Sequence, residues 1–273
     1  MRIKTGFEIA YDLPAPTPMM LTLSVHTSRR GDLETPEWLR TDPIVDVRQY
    51  FDGFGNLVSR VLAPAGRFVM SSDFVVRDSG LPDEYAPGAA QLAAQDLPDE
   101  TLVYLLGSRY CETDQLSDIA WSLFGATPLG WARVQAICDY VHNHIGFDYN
   151  QARATRGAHD AHREAVGVCR DYAHLAVTFC RCMNIPARYC TGYLGDIGVP
   201  LTPFMDFSAW FEVFLGGRWY TFDARNNKRR VGRVLMARGR DATDVAMVNS
   251  FGAAFLTGFN VVSDELPEGG PVR

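Results

Sequence analysis

GVCRDYAHLAVTFCRCM, residues 167–183, holds the pattern from which the rest of the chain can be read. Ala173, Ala176, Val177, Cys180 and Met183 recur at steps of three and four, the spacing of one face of a helix about five turns long. Gly167 precedes it, and Asn184 with Pro186 stops it. Cys169 then falls in the first turn, where unpaired N–H groups and the positive end of the helix dipole favour negative charge. A thiol so placed can have its pKa drawn down from about 8.5 towards neutrality. Cys169 is therefore read as a nucleophile rather than as one more small buried hydrophobe.

The chain has 273 residues, 47% hydrophobic and 21% charged, material for one large domain or two modest ones. A net charge of −6 argues against general binding to nucleic acid or an anionic membrane. Arg225, Lys228, Arg229, Arg230, Arg233, Arg238 and Arg240 form a local exception, read as a solvated loop surface. The N-terminus lacks a signal-type apolar segment and no run approaches 18 apolar residues, so a cytoplasmic protein is expected. The six cysteines form no disulfide framework and are expected to be reduced. Cys180 and Cys182, like His142 and His144, are two residues apart on helices and point about 200° from one another, which rules them out as ligand pairs. Phosphate-cradling glycine motifs are absent too, and neither metal nor cofactor is expected.

Residues 1–95 read as a β-rich domain, an antiparallel sandwich or curled sheet, from short runs at 7–11, 20–25, 67–70 and 74–76. A proline- and alanine-rich stretch, about 81–98, links it to residues 96–273, which turn helical. Leu116, Ile119, Ala120 and Leu123 mark a helix closed near Gly125. Thr127-Pro128 looks like the start of the next, whose buried face carries Trp131, Val134, Ile137, Cys138, Val141 and Ile145. The polar segment to Arg163, holding His159 and His162, is expected to be exposed. Residues 187–193 read as a strand and 194–205 as a loop.

Two aromatic strands, 207–215 and 218–224, are joined by Gly216-Gly217, a two-residue hairpin signal. Leu215 then pairs with Arg218, and counting back sets Trp210 opposite Asp223 and Ser208 opposite Arg225. Opposed residues share a face that repeats every two positions, so Ser208, Trp210 and Asp223 lie together.

A cysteine in GVCRDYAHL, followed by NIPARYCTGYL and AWFEVFLGGRWYTFDAR, resembles the transglutaminase-like superfamily. More narrowly it resembles the bacterial transglutaminase-like cysteine proteases with a β-rich N-terminal region. The resemblance implies an α+β, papain-like core, in which the cysteine helix packs on an antiparallel sheet that delivers a histidine and then an aspartate. Carried over, Cys169 is the nucleophile and Asp223 the residue that orients the base. Where the family commonly has His-Ala-Trp, this chain has Ser208-Ala209-Trp210. Trp210, Tyr172 and Asp171 flank the motifs and are read as cleft residues.

In a cysteine–histidine–aspartate site the thiolate attacks an acyl carbon and the imidazole protonates the leaving group. Serine cannot supply that step, and acid–base assistance is typically worth 10²–10⁴ in rate. His159 and His162, in the segment before the nucleophile, are candidate replacement bases, whereas His174 lies about 140° round the helix from Cys169. Two functions follow. One is a cysteine-dependent acyl-transfer enzyme acting on a peptide, protein or other amide or ester substrate. The other is a catalytically impaired domain that binds a peptide or peptidoglycan-like ligand without turnover.

Overall fold

The computed structural model describes residues 1–202 and 205–267. Alternating apolar residues in the first third of the chain become six strands: β1 (Arg2–Leu13), β2 (Thr17–Leu21), β3 (Arg40–Asp42), β4 (Arg48–Phe51), β5 (Leu57–Ala63) and β6 (Gly66–Arg77). Phe68, Met70, Phe74 and Val76 are buried at every second or fourth position of β6, so the two expected strands at 67–70 and 74–76 are one. The run expected at 20–25 is a strand only at its start, in β2.

Five α-helices follow the linker: α1 (Asp99–Leu102), α2 (Thr113–Phe124), α3 (Trp131–His144), α4 (Ala158–Glu164) and α5 (Cys169–Cys182). Two short strands, β7 (Gly146–Phe147) and β8 (Val166–Gly167), pair in parallel beside the start of α5. Helix α3 begins three residues later than Thr127-Pro128 implied, after Gly130 at φ 82°. Thr127 instead closes the preceding helix, donating its hydroxyl hydrogen to Phe124 O at 2.6 Å and accepting from Arg133 Nε.

The remaining strands are β9 (Ala187–Leu194), β10 (Ser208–Leu215), β11 (Arg218–Phe222), β12 (Arg233–Gly239), β13 (Val248–Ser250) and β14 (Phe255–Leu266). The first four of these build an antiparallel sheet in the order β11-β10-β9-β12. Its hairpin has the expected register, Leu215 opposite Arg218, and both turn glycines take positive φ, 57° and 90°. Only a primed turn follows the twist of two paired strands over two residues, and glycine adopts it without steric penalty. Phe211, Val213 and Leu215 pack from this sheet against Leu175, Ala176 and Phe179 of α5. The α+β, papain-like core expected from the sequence is thus present. Positions 203–204 of the expected loop fall outside the described residues.

The β-rich part has two antiparallel sheets, β14-β1-β6-β3 and β13-β2-β5-β4, around a core that includes Phe7, Ile9, Met19, Leu21, Phe68 and Met70. Strands β13 and β14 belong to it although they come last in the chain, a return that a division at residue 95 leaves out. Tyr193, Phe207, Val234 and Met236 of the second part are also buried in this core, which joins the two parts. Among the described residues no helix is long and apolar enough to cross a membrane.

Candidate active site

Cys169 opens α5. One turn on, Asp171 Oδ2 accepts the Val168 N–H at 2.9 Å and so satisfies one of the amides that a helix start leaves bare. Asp171 also takes Arg156 Nη1 at 3.2 Å and is 1% exposed, which makes it the anchor of the helix rather than part of a cleft. Arg156 is equally buried and pairs with Glu164 at 3.2 Å, so the segment expected to be exposed contains one of the most deeply buried cations of the molecule. Tyr172 is buried as well, its hydroxyl donating to Ile145 O.

Cys169 is half-buried; the other five cysteines are buried, and all six are free thiols. It packs against the cluster of Ala173, Tyr189, Ala209, Ala237 and Val245, which brings the start of α5 against β9, β10 and the loop after β12. The Ala209 N–H faces the sulfur. Burial pushes the thiol above its ordinary range; Arg225 opposes this, while the carboxylates of Asp206 and Asp223 add to it. The lowering expected from the helix start is therefore overturned, because atoms crowd the sulfur and two acids face it.

Asp206 and Arg225, whose charges act on the thiol, line a cavity of about 560 Å³ with Ser208, Phe147 and Tyr149, extended by Leu194 and Val199; Cys169 itself is not part of its lining. The Arg225 guanidinium sits 4.1 Å from the Phe147 ring centre, a cation–π contact that holds it at the cavity wall. Its backbone carbonyl accepts from the imidazole of His142, Nδ1 at 2.9 Å. The Ser208 carbonyl accepts from Thr191 at 3.2 Å. The β10–β11 ladder ends at Phe211 opposite Phe222, short of the expected pairs 210/223 and 208/225, but Ser208 and Arg225 both line this cavity.

Asp223 is 5% exposed and fully engaged. It accepts from Arg233 Nη2 at 2.9 Å, from the Asn226 N–H at 2.9 Å and from Asn226 Nδ2 at 2.8 Å. Burial alone would raise its pKa, but Arg233 and the Asn226 donors outweigh that and hold it below the usual carboxylate range. Arg233 in turn binds both oxygens of Asp83 through Nε at 3.0 Å and stacks over Trp210 at 5.0 Å. Trp210 is therefore packed beside an ion triplet, lining a second cavity of about 310 Å³. Lys228 and Arg229 of the basic segment 225–240 are exposed, as expected, but Arg230 and Arg233 are buried, and Arg230 Nη2 donates to Gly195 O at 2.9 Å.

The groups with the largest effect on the thiol are Arg225, Asp206, the Ala209 N–H and Asp223, and none of them is a histidine. His162 bonds the Tyr140 hydroxyl at 3.0 Å and packs on Phe179, which lies about 15 Å along α5 from Cys169. His159 is the second residue of α4, where its N–H donates to Glu112 Oε2 at 3.3 Å. His174 is fully buried, stacked on Tyr110 with its Nε2 accepting the Ala242 N–H at 3.1 Å, and burial lowers its pKa to about 3. Asp206 and Arg225 went unrecognised as neighbours of the sulfur, although one stands two residues before Ser208 and the other two after Asp223. Among the described residues no group of three metal-ligating side chains converges.

The family model for the transglutaminase-like superfamily matches residues 122–224, the span from α2 to the end of the hairpin. A crystal structure from Cytophaga hutchinsonii, named a "putative cysteine protease", is 31% identical, with a TM-score of 0.83 over 98% of this chain and 91% of that one. An uncharacterised protein of Mycobacterium leprae is 38% identical over 100 residues, 34% of this chain; the match spans about a third of that relative's length, 36%.

Proposed function

This chain belongs to the transglutaminase-like superfamily, and from that premise we propose that it is a cysteine-dependent acyl-transfer enzyme. Cys169 attacks the acyl carbon of a peptide-like ester or activated amide seated in the neighbouring cavity. The observation that carries this reading is the position of the sulfur: in the first turn of α5, half-buried and against the Ala209 N–H. The sulfur–carbon bond forms as the carbonyl becomes an oxyanion, and backbone N–H groups at the helix start are suited to hold that charge. Esters are favoured over amides, since an amine must be protonated to leave and no imidazole stands at the thiol among the described residues.

Incubation with p-nitrophenyl acetate followed by intact-mass measurement tests the reading. We expect an acetyl adduct on Cys169 and slow release of p-nitrophenol, both lost in Cys169→Ala. A second reading, ligand binding without turnover, draws on Asp223, whose oxygens are taken by Arg233 and Asn226. Absence of any Cys169-dependent adduct would leave that second reading standing alone.

A further inference from the structure

Two polar side chains on the wall of the 560 Å³ cavity are left without partners by the fold. Ser208 opens β10 and is 9% exposed; its carbonyl accepts from Thr191, but its hydroxyl bonds to nothing among the described residues. A hydroxyl so withdrawn from water costs free energy unless something entering the cavity pairs with it. Arg225 is the second. Its guanidinium lies 4.1 Å from the Phe147 ring centre and its carbonyl accepts from His142 Nδ1 at 2.9 Å, so it is held in place. No carboxylate pairs with it among the described residues. A half-buried guanidinium without a counter-ion is a fork of N–H donors set for a planar anion.

The balance of charge on the wall indicates what the missing partner carries. Arg230 is already engaged: Nη2 donates to Gly195 O at 2.9 Å, Nη1 to Asn226 Oδ1 at 3.3 Å, and Asp196 stands 3.9 Å away. That leaves Arg225 and the exposed Lys228 against one further acid, Asp206, none of the three in an ion pair among the described residues. Three cations and two carboxylates give the lining a net charge of one positive unit. A single negative charge neutralises it, whereas a dianion would set like charge against Asp206. Phe147, Leu194, Val199 and Met205 add apolar surface, and the volume falls within the about 300–1,000 Å³ usual for small-molecule sites. We propose that this cavity binds the C-terminal residue of a peptide, its carboxylate on Arg225 and Lys228 and accepting from the Ser208 hydroxyl, its apolar side chain against Phe147 and Leu194. The site goes beyond the acyl-transfer reading and holds whether or not Cys169 turns a substrate over.

Isothermal titration calorimetry of the full chain with N-acetyl-phenylalanine and with its neutral amide tests this. The carboxylate should bind about 10-fold more tightly than the amide, the difference expected of a charge-assisted pair. Arg225→Gln should erase that preference. Lys228→Gln, at an exposed position where folding is not at risk, should reduce it about threefold, and it decides the matter if Arg225→Gln does not fold. Equal affinity for the two probes, no binding of the carboxylate, or a preference that survives both substitutions would overturn the proposal. Inorganic phosphate displacing N-acetyl-phenylalanine better than acetate does would overturn the assignment to a single charge. The probe has no ester to transfer, so its failure to bind leaves the p-nitrophenyl acetate result at Cys169 untouched, and failure of that reaction leaves this site standing.

Discussion

Replacing Arg233 with methionine should show how much the molecule depends on one buried cation. Its guanidinium contacts Asp83 from the linker at 3.0 Å and Asp223 from the end of the hairpin at 2.9 Å, with all three side chains largely out of water. The substitution keeps most of the apolar stem but leaves two carboxylates facing one another without a partner. Breaking a buried ion pair on one side typically costs about 3–5 kcal/mol, a large share of the roughly 5–15 kcal/mol by which domains are held folded. The loss should depend on pH. Without the guanidinium, burial raises the folded-state pKa of both carboxyls above the unfolded value of about 3.9. An acid raised in this way costs nothing below the unfolded pKa, and the penalty grows as pH rises through the folded one. Urea unfolding followed by tryptophan fluorescence should therefore give a loss of about 3 kcal/mol or more at pH 8 and a distinctly smaller one at pH 4.5. The triple variant Asp83→Asn/Arg233→Met/Asp223→Asn should recover part of the loss, since no charge is then stranded. A loss under about 1 kcal/mol at pH 8, or one equal at both pH values, would refute this account of the triplet.

Two further outcomes follow from the same coordinates. Ser208→His alone should leave amide turnover within about threefold of wild type, because both Asp223 oxygens already hold donors from Arg233 and Asn226 and an imidazole would have to compete with them; a gain of 100-fold in an anilide assay would contradict that. Glu37 accepts the Val25 N–H at 2.9 Å, and burial, only partly opposed by that bond and by Arg30, raises its pKa to about 7. The wild type therefore loses stability as pH rises from about 4.5 to 7, and Glu37→Gln, which keeps the acceptor, should be more stable by on the order of 1–3 kcal/mol at pH 8 and unchanged at pH 4. Equal stability of the two proteins at pH 8 by thermal unfolding would count against it.

Local rules located much of this fold. The period of α5, the stop at Asn184-Pro186 and the glycine pair at 216–217 act over a few residues, and each is found where the pattern placed it. The GVCRDYAHL and FDAR motifs carried the family. What escaped depends on partners remote in sequence. Arg233 reads as a loop cation until Asp83, 150 residues earlier, is seen against it. Arg156 looked exposed because nothing nearby announces that Asp171 will be buried beside it. The Cys169 thiol was expected to be acidified because a helix dipole can be read from sequence, whereas the crowding of β10 and the two facing carboxylates cannot. Asp206 lay in plain view within DFSAW, but its place on one cavity wall with Arg225 depends on the fold.

The pairing of β1 fixes the order in which the molecule can be made. One flank of that strand meets β6, with β2 to β5 between them in the chain; the other meets β14, with Arg2 opposite Leu266. During synthesis the first strand emerges about 260 residues ahead of its second neighbour, with a row of amides and carbonyls open to any other extended chain. Long-range closure of this kind is slow. That sheet edge thus stays unprotected until the segment Phe255–Leu266 has been made and covers it.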